Sequence, residues 1–379
     1  MISLRDYTNR TNPLRILVAE YLLANAAASR TASKSMLDEA GAMLAAVVTD
    51  IAQLPDVTVT VLLSIGSDTS FTKSLTNTDI LRAELQPEIL TAILSGDPNP
   101  SAFDAVLLIA PECDGVLVSL LKTVQQNRAS PIRSFNLDWR LAEVFSDKRA
   151  TDSWLRQQGI ATIATRTIDD ATAKALHAAA NQNPLMQIDP SQTHQYAVLK
   201  PRHGAGAENV RIVPYSQRSF LDLPHQVADN DCWILQPFMS GVACSIGFIG
   251  GGQHGSTTIL PPARQTIVAA DGSLSYHGGE IPCEPAIAGR MERVSEQLAH
   301  VLGAFDGYVG ADLLVDLSAP QDSETSAIVV EINPRLCTSY VGYRALAGDN
   351  LAEVLLQRRS KLAIQWQRQV VSFKVNENV

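Results

Sequence analysis

At 379 residues, with 46% hydrophobic and 18% charged side chains, the chain has room for two or three domains with proper cores. That composition excludes a disordered or coiled-coil body. A net charge of −9 without any Lys/Arg cluster argues against a nucleic-acid or anionic-membrane surface, so a bound anion would need metal and individually placed cations. The five cysteines (Cys113, Cys232, Cys244, Cys283 and Cys337) form no C-x-x-C pair; their odd number and scatter speak against a zinc site or a disulfide framework. The N-terminal stretch carries Arg5, Asp6 and Arg10 and then a short apolar run broken at Glu20. It has neither a signal-peptide core nor a spanning segment, and a cytoplasmic location is expected.

In chain order, residues 14–20 (LRILVAE) read as a buried strand, followed by an amphipathic helix from Ser35 to about Leu54. Strands are expected at Val57–Leu63 and Phe103–Ala110, with a helix near Pro87–Leu94 between them and another after Gly115. Strands alternating with helices imply an open parallel sheet over residues 1–145. A helix then opens at Ser146-Asp147-Lys148, with Ser146 or Asp147 as its N-cap, and runs to Gly159. A short strand, an alanine-rich helix at 170–181 and strands at Tyr196–Lys200 and Val210–Val213 follow. Further strands are expected at 233–236, 243–249, 256–260 and 264–268, with helices at about 292–302 and 350–359. Ser318–Ser326 reads as a polar hairpin loop, and the last fifteen or so residues as loosely tied down.

Two C-terminal segments carry most of the chemistry. Gly310-Ala-Asp312-Leu-Leu-Val-Asp316 and Ile328-Val-Val-Glu331-Ile-Asn333-Pro334-Arg335 are apolar strands interrupted by oxygen donors. Glu331 and Asn333 are two apart and share one strand face. If the strands pair, Asp312 joins them, and the set suits Mg²⁺ bridging nucleotide phosphates better than it suits a solvated strand end. Upstream, Lys200 ends a strand before Pro201-Arg-His-Gly204-Ala-Gly206-Ala, a point charge beside a flexible backbone flap. The P-loop order is absent. Lys148 is a second candidate cation. Gln236-Pro237-Phe238-Met239-Ser-Gly241 leaves an apolar strand and can present backbone groups and an amide to an adenine edge. Gly247-x-x-Gly250-Gly251-Gly252 sits between antiparallel-type strands and reads as a hairpin turn, not a dinucleotide fingerprint.

In this order, the lysine-led helix, lysine-plus-glycine loop, linker, Asp strand and Glu-x-Asn-Pro-Arg resemble the ATP-grasp superfamily from about residue 146 to 340. Within it the likeness is strongest to the branch containing tyramine–L-glutamate ligase of methanofuran-type cofactor synthesis. Leu17–Tyr21, Ile109–Gly115, Ala263-Arg264-Gln265 and Tyr276–Gly279 extend it to residues 14–358. The resemblance implies an α/β ATP-grasp fold: an N-terminal open parallel α/β domain (1–145), then two α+β lobes (146–235 and 236–379) clamping the nucleotide. It implies ATP and Mg²⁺ (or Mn²⁺) as cofactors. Lys148 and Lys200 would contact ATP, Gly204 and Gly206 would form the flap, and Gln236, Pro237, Phe238 and Met239 the adenine linker. Asp312, Glu331 and Asn333 would hold the metal, with Arg335, Arg264 and Lys200 at the transferring phosphoryl group. Gln236 and Ala243-Cys244 stand where many relatives carry acids, and Cys113 stands where a threonine is expected.

The expected activity is an ATP-dependent carboxylate–amine ligation through an acyl phosphate, joining a small-molecule acid and amine such as glutamate and an aromatic amine. No nucleic-acid or membrane partner is expected, and the resemblance leaves room for a homodimer. The alternatives are carbamoyl-phosphate or carboxyphosphate chemistry, or a nucleotide-binding regulatory protein without turnover. A general base is required for the amine, with His277, Glu280, Glu112 and Asp114 as candidates. Glu112, Asp114 and Gly115 sit at a parallel-strand C-terminus, where ligands bind in open sheets. Glu20 is expected either there or as a cap of the next turn.

Overall fold

The computed structural model describes residues 13–67, 75–95, 103–127, 132–182, 190–206, 209–216, 219–220, 232–252, 255–358 and 364–374. Five parallel strands form the first sheet: β1 (Leu14–Glu20), β2 (Val57–Leu63), β3 (Thr78–Arg82), β4 (Ala105–Ile109) and β5 (Arg133–Ser134), in the order β3-β2-β1-β4-β5. β4 is buried along its whole length and β1 at all but one residue, because helices cover both faces. The strand order reverses at β1, so the crevice at the C-terminal ends of β1 and β4 holds Glu20 and the Glu112 loop. β3 and β5 escape the sequence pattern: one is largely exposed and the other is two residues long. Glu20 accepts a hydrogen bond from the Leu23 backbone at 3.0 Å and so caps the helix Tyr21–Ala24.

The helix Lys34–Ala52, capped by Ser33, lays Ala40, Met43, Leu44, Val47 and Ile51 against this sheet. Its other neighbour is the C-terminal helix Ser339–Leu346. Asp50 accepts from Tyr340 Oη at 2.9 Å and Arg344 Nε at 2.8 Å, and one apolar core runs through both regions. The first sheet is thereby held against the last third of the chain.

The second sheet has eleven strands: β6 (Arg166–Ile168), β7 (Tyr196–Pro201), β8 (Arg211–Pro214), β9 (Trp233–Pro237), β10 (Val242–Ile249), β11 (Thr258–Ile259), β12 (Ala263–Ala270), β13 (Ser273–Ile281), β14 (Tyr308–Val315), β15 (Ala327–Asn333) and β16 (Val371–Phe373). The order is β15-β14-β10-β12-β13-β8-β7-β9-β6, with β11 on β10 and β16 on β13. Its two halves meet at the pair Ser273↔Arg211, a narrow seam between two concave faces. The triple glycine near 250 lies in the turn between antiparallel β10 and β11, as expected.

Some expectations are corrected. β13 is a full strand, although serine and glycine dilute its alternation (Leu274, Tyr276) and no strand is expected there from sequence. The helix expected from 292 begins at Pro285, where proline's missing N–H is harmless. The helix expected at 350–359 is Leu351–Leu355, and residue 359 lies outside the described residues. The C-terminal stretch is tied down at β16, with Phe373 buried against β13. Among the described residues no helix is long and apolar enough to cross a membrane.

Candidate active site

A cavity of about 460 Å³ lies between the two halves of the large sheet, within the size range of small-molecule sites. One wall is the β14–β15 pair. In register, Asp312 faces Glu331 and Gly310 faces Asn333, and a shift just past Asp312 breaks the ladder there. Asn333 Nδ2 donates to Asp312 Oδ2 at 2.9 Å, and Gln265 Nε2 of β12 donates to Asp312 Oδ1 at 2.7 Å. All four side chains line the cavity. Gly310 has to be glycine: an added Cβ would lie 2.4 Å from the Cys337 sulfur.

Both lysines reach this wall. Lys200 Nζ, on buried β7, lies 3.3 Å from Glu331 Oε2, and Lys148 Nζ lies 3.6 Å from the same oxygen. Lys148 is the first residue of the helix Lys148–Gln157, and Asp147 caps that helix by accepting from the Arg149 and Ala150 N–H groups. Asp147 is also gripped by Arg202, Nε to Oδ1 at 3.0 Å and Nη2 to Oδ2 at 2.7 Å. Arg202 follows β7, so this two-pronged pair clamps the helix start to the flap strand and sets the two lysines side by side. Lys148 Nζ further donates to the Gly204 carbonyl at 2.6 Å, tethering the glycine flap.

Burial and neighbouring charges shift the two carboxylates in opposite directions. Burial pushes the Asp312 carboxyl up, and the facing Glu331 pushes it further. Burial works the same way on Glu331, but Lys148 and Lys200 outweigh it and hold that carboxyl well below the usual range. Burial and then Lys148 lower the Lys200 ammonium, against the pull of Glu331. Two half-buried carboxylates and an amide oxygen on one face suit a hard cation. Among the described residues no three His, Cys, Asp or Glu side chains gather. Asp312, Glu331 and Asn333 would therefore leave several positions to phosphate oxygens and water, the coordination Mg²⁺ favours.

Gln236, Pro237, Phe238 and Met239, from the end of β9 beside β7, also line the cavity. Two of their polar groups have protein partners: Gln236 Nε2 donates to Thr165 Oγ1 at 3.0 Å, and the Phe238 N–H donates to the Tyr196 carbonyl at 3.0 Å. The expected offer of the Gln236 amide to a base edge is reduced accordingly. Gly204 and Gly206 border the cavity, and burial pushes the Cys113 thiol up against the pull of the Ala205 backbone and Lys148.

Arg335 lines the cavity and is buried against Glu112, with Nε 2.9 Å from Oε1 and Nη2 donating to Oε2 at 3.1 Å. The Nε approach is an ion pair without hydrogen-bond alignment. Arg264 does not join the cluster. It is half-exposed and pairs with Glu284 at 2.7 Å, because strand alternation turns its neighbour Gln265 inward instead. The base candidates also stay outside the cavity lining. His277 contacts Ser275 Oγ at 3.0 Å on an exposed strand, Glu280 and Asp114 are exposed, and Glu112 lies behind Arg335. The structure adds Glu39 and Thr338, which the sequence did not single out, and brings in Gln265 and Tyr276, which it named only within segments of the family resemblance. Glu39 had one faint signal, a charge at the edge of the helix stripe Met36-Ala40-Met43.

Residues 170–339 match the family model described as an ATP-grasp domain. An ATP-grasp superfamily protein from Archaeoglobus fulgidus superposes with a TM-score of 0.60 at 19% identity, covering 90% of this chain and 88% of that one. The chain has an ATP-grasp fold. Two further similar structures are the L-amino acid ligase of Bacillus licheniformis and the biotin carboxylase domain of Hydrogenobacter thermophilus 2-oxoglutarate carboxylase. The first has a TM-score of 0.56 at 15% identity, covering 92% of this chain and 74% of that one. The second, a dimer bound to MgADP, ADP and bicarbonate, has a TM-score of 0.61 at 11% identity, covering 94% and 73%. Comparison with curated protein sequences returns no match. In all, 456 solved chains share the likeness, so the ATP-grasp fold does not by itself select a reaction; the site must.

Proposed function

We propose that the protein is an ATP-dependent carboxylate–amine ligase acting through an acyl phosphate. The observation that carries this reading is the convergence of Lys148 and Lys200 on Glu331, in register with Asp312, at one end of a nucleotide-sized cavity that also takes in Arg335. In this reading Asp312, Glu331 and Asn333 hold Mg²⁺, which when bound supplies charge neutralisation for the nucleotide phosphates. Lys148 and Lys200 bind and orient the phosphates under the Gly204–Gly206 flap, which excludes water. The segment 236–239 packs against the base. Arg335 faces the transferring group.

A carboxylate is a poor acyl donor because oxide is its leaving group. Transfer of the γ-phosphoryl to the carboxylate breaks the bond to ADP and makes phosphate the leaving group. Attack by the uncharged amine then forms the C–N bond, expels phosphate and releases a proton. The chain's contribution is placement and charge, the terms that dominate phosphoryl transfer. The sequence likeness to the tyramine–L-glutamate ligase branch supports glutamate and an aromatic amine as the first pair to try, in one-carbon cofactor synthesis. The test is coupled ADP release across a panel of carboxylic acids and primary amines. ADP release should require an acid and rise with an amine. Failure of every pair to exceed background would sink the ligase reading, whereas stimulation by bicarbonate alone would favour carboxyphosphate chemistry.

A further inference from the structure

The two carboxylates of the cavity wall are held by different kinds of group. Both lysines go to Glu331 Oε2, and Asp312 has no ion-pair partner among the described residues. Its two oxygens accept from neutral amides instead: Oδ2 from Asn333 Nδ2 at 2.9 Å and Oδ1 from Gln265 Nε2 at 2.7 Å. Asn333 is on the adjacent strand β15, but Gln265 belongs to β12, and β10 runs between β12 and β14. The amide therefore reaches over a whole strand to its carboxylate. Two local features permit this. Ser245 is the β10 residue in register with Asp312 on one side and Ala263 on the other, and its short side chain leaves room above β10. The β12–β13 ladder also shifts register just after Gln265, as the β14–β15 ladder does just after Asp312. Such irregularities re-aim side chains beside active sites, and here the two re-aimed side chains meet.

A donor in this place has two tasks. It has to stop the carboxylate from turning, and it has to leave the carboxylate's charge to a divalent cation. A lysine or arginine would do the first and cancel the second. An amide does both, because it donates an N–H and carries no charge, and an ionised carboxylate keeps lone pairs beyond the two already engaged. We infer that Gln265 is a positioning residue for the metal: it fixes the Asp312 carboxylate beside Glu331 without pairing its charge. This inference rests on the metal assignment of the proposed function and not on which acid and amine are joined. It also gives a role to the alternation that turns Gln265 into the cavity and Arg264 away from it.

The test is ADP binding by calorimetry, in EDTA and across a Mg²⁺ series, for the wild-type protein, Gln265→Leu and Asp312→Asn. Binding in EDTA reports the lysines, the flap and the base pocket; the gain on adding Mg²⁺ reports the metal site. Gln265→Leu keeps the volume and removes the donor. It should keep the melting transition and the ADP affinity in EDTA, yet need about 10- to 100-fold more Mg²⁺ for half of the gain, the usual effect of losing a partner of a metal ligand. Asp312→Asn should lose the gain itself. An unchanged Mg²⁺ requirement in Gln265→Leu overturns the assignment. So does an equal loss of ADP affinity in EDTA, which would make Gln265 a packing residue. A gain that survives in Asp312→Asn, or is missing from the wild-type protein, removes the metal assignment and this inference with it. The ligase reading is judged separately, by ADP release with acid and amine, and that assay can fail while the Mg²⁺ gain and its weakening in Gln265→Leu are both seen.

Discussion

The two polar ends of the Arg335–Asp312 region are built in different ways. Asp312, Glu331 and Asn333 belong to adjacent strands of one sheet, and their meeting follows from register alone. Arg335, Glu112 and Glu39 come from a strand exit, a loop of the first sheet and a helix on its face, and they meet only because Asp50 and the shared core dock those elements. The first arrangement is local and survives wherever the hairpin forms. The second depends on the docking of distant parts, so the Arg335 guanidinium is placed in the cavity by a carboxylate of the N-terminal sheet's loop.

Breaking the docked end should produce the largest effect. Glu112→Ala leaves the buried Arg335 charge unpaired and should destabilise the protein by about 3–5 kcal/mol in urea unfolding, with much of that recovered in Glu112→Ala/Arg335→Met. Equal destabilisation by the single and double variants would mean that Glu112 acts through packing, not charge. Breaking the strand end should instead spare the fold. Asp312→Ala or Glu331→Gln, the latter keeping an acceptor for the two lysines, is expected to leave the melting transition in place and to reduce ADP release by about two orders of magnitude, roughly 3 kcal/mol. Retained turnover in either variant would remove the metal assignment.

Glu20 sharpens the contrast through pH. Burial raises its carboxyl to about 8 from an ordinary 4.5, against the opposing pull of the Leu23 N–H and Arg335. Because the folded value is the higher one, the stabilisation is complete below about 4.5 and is lost as pH rises toward 8. Urea unfolding at pH 5 and pH 8.5 should therefore show a decline on the order of 1–3 kcal/mol that Glu20→Gln flattens. A wild-type profile flat over that range would contradict a buried neutral carboxyl at the end of β1. The smallest effect belongs to Arg264→Ala, which removes a half-exposed pair with Glu284 and should change kcat/KM by less than about threefold. A loss comparable with that of Arg335→Ala would return Arg264 to the site.

Much of this was legible in the residues. Glu331 and Asn333 are oxygen donors two apart in an otherwise apolar strand, and period-two geometry leaves them one common face. Asp147 ahead of Lys148 is a recognisable helix cap, and the structure shows it doing that. The Gly204–Gly206 segment reads as a flap from its composition, and its Gly204 carbonyl accepts a hydrogen bond from Lys148. Arg264 went astray because a cation was preferred to its neutral neighbour, although on a strand only one of two successive residues can face inward; Gln265 is that residue. β13 was missed because serine and glycine dilute its alternation, and β5 because two residues carry no pattern.

Local order, strand faces, caps and the hard-donor hairpin follow from short-range sterics and periodicity, which a linear string of residues encodes directly. The partnership of Arg335 with Glu112, the entry of Glu39 into the cavity and the alignment of both lysines on one carboxylate are of another kind. Each joins segments more than a hundred residues apart, and each exists because burying apolar faces brings charged groups together where water no longer screens them. No periodicity announces such a meeting; packing decides it.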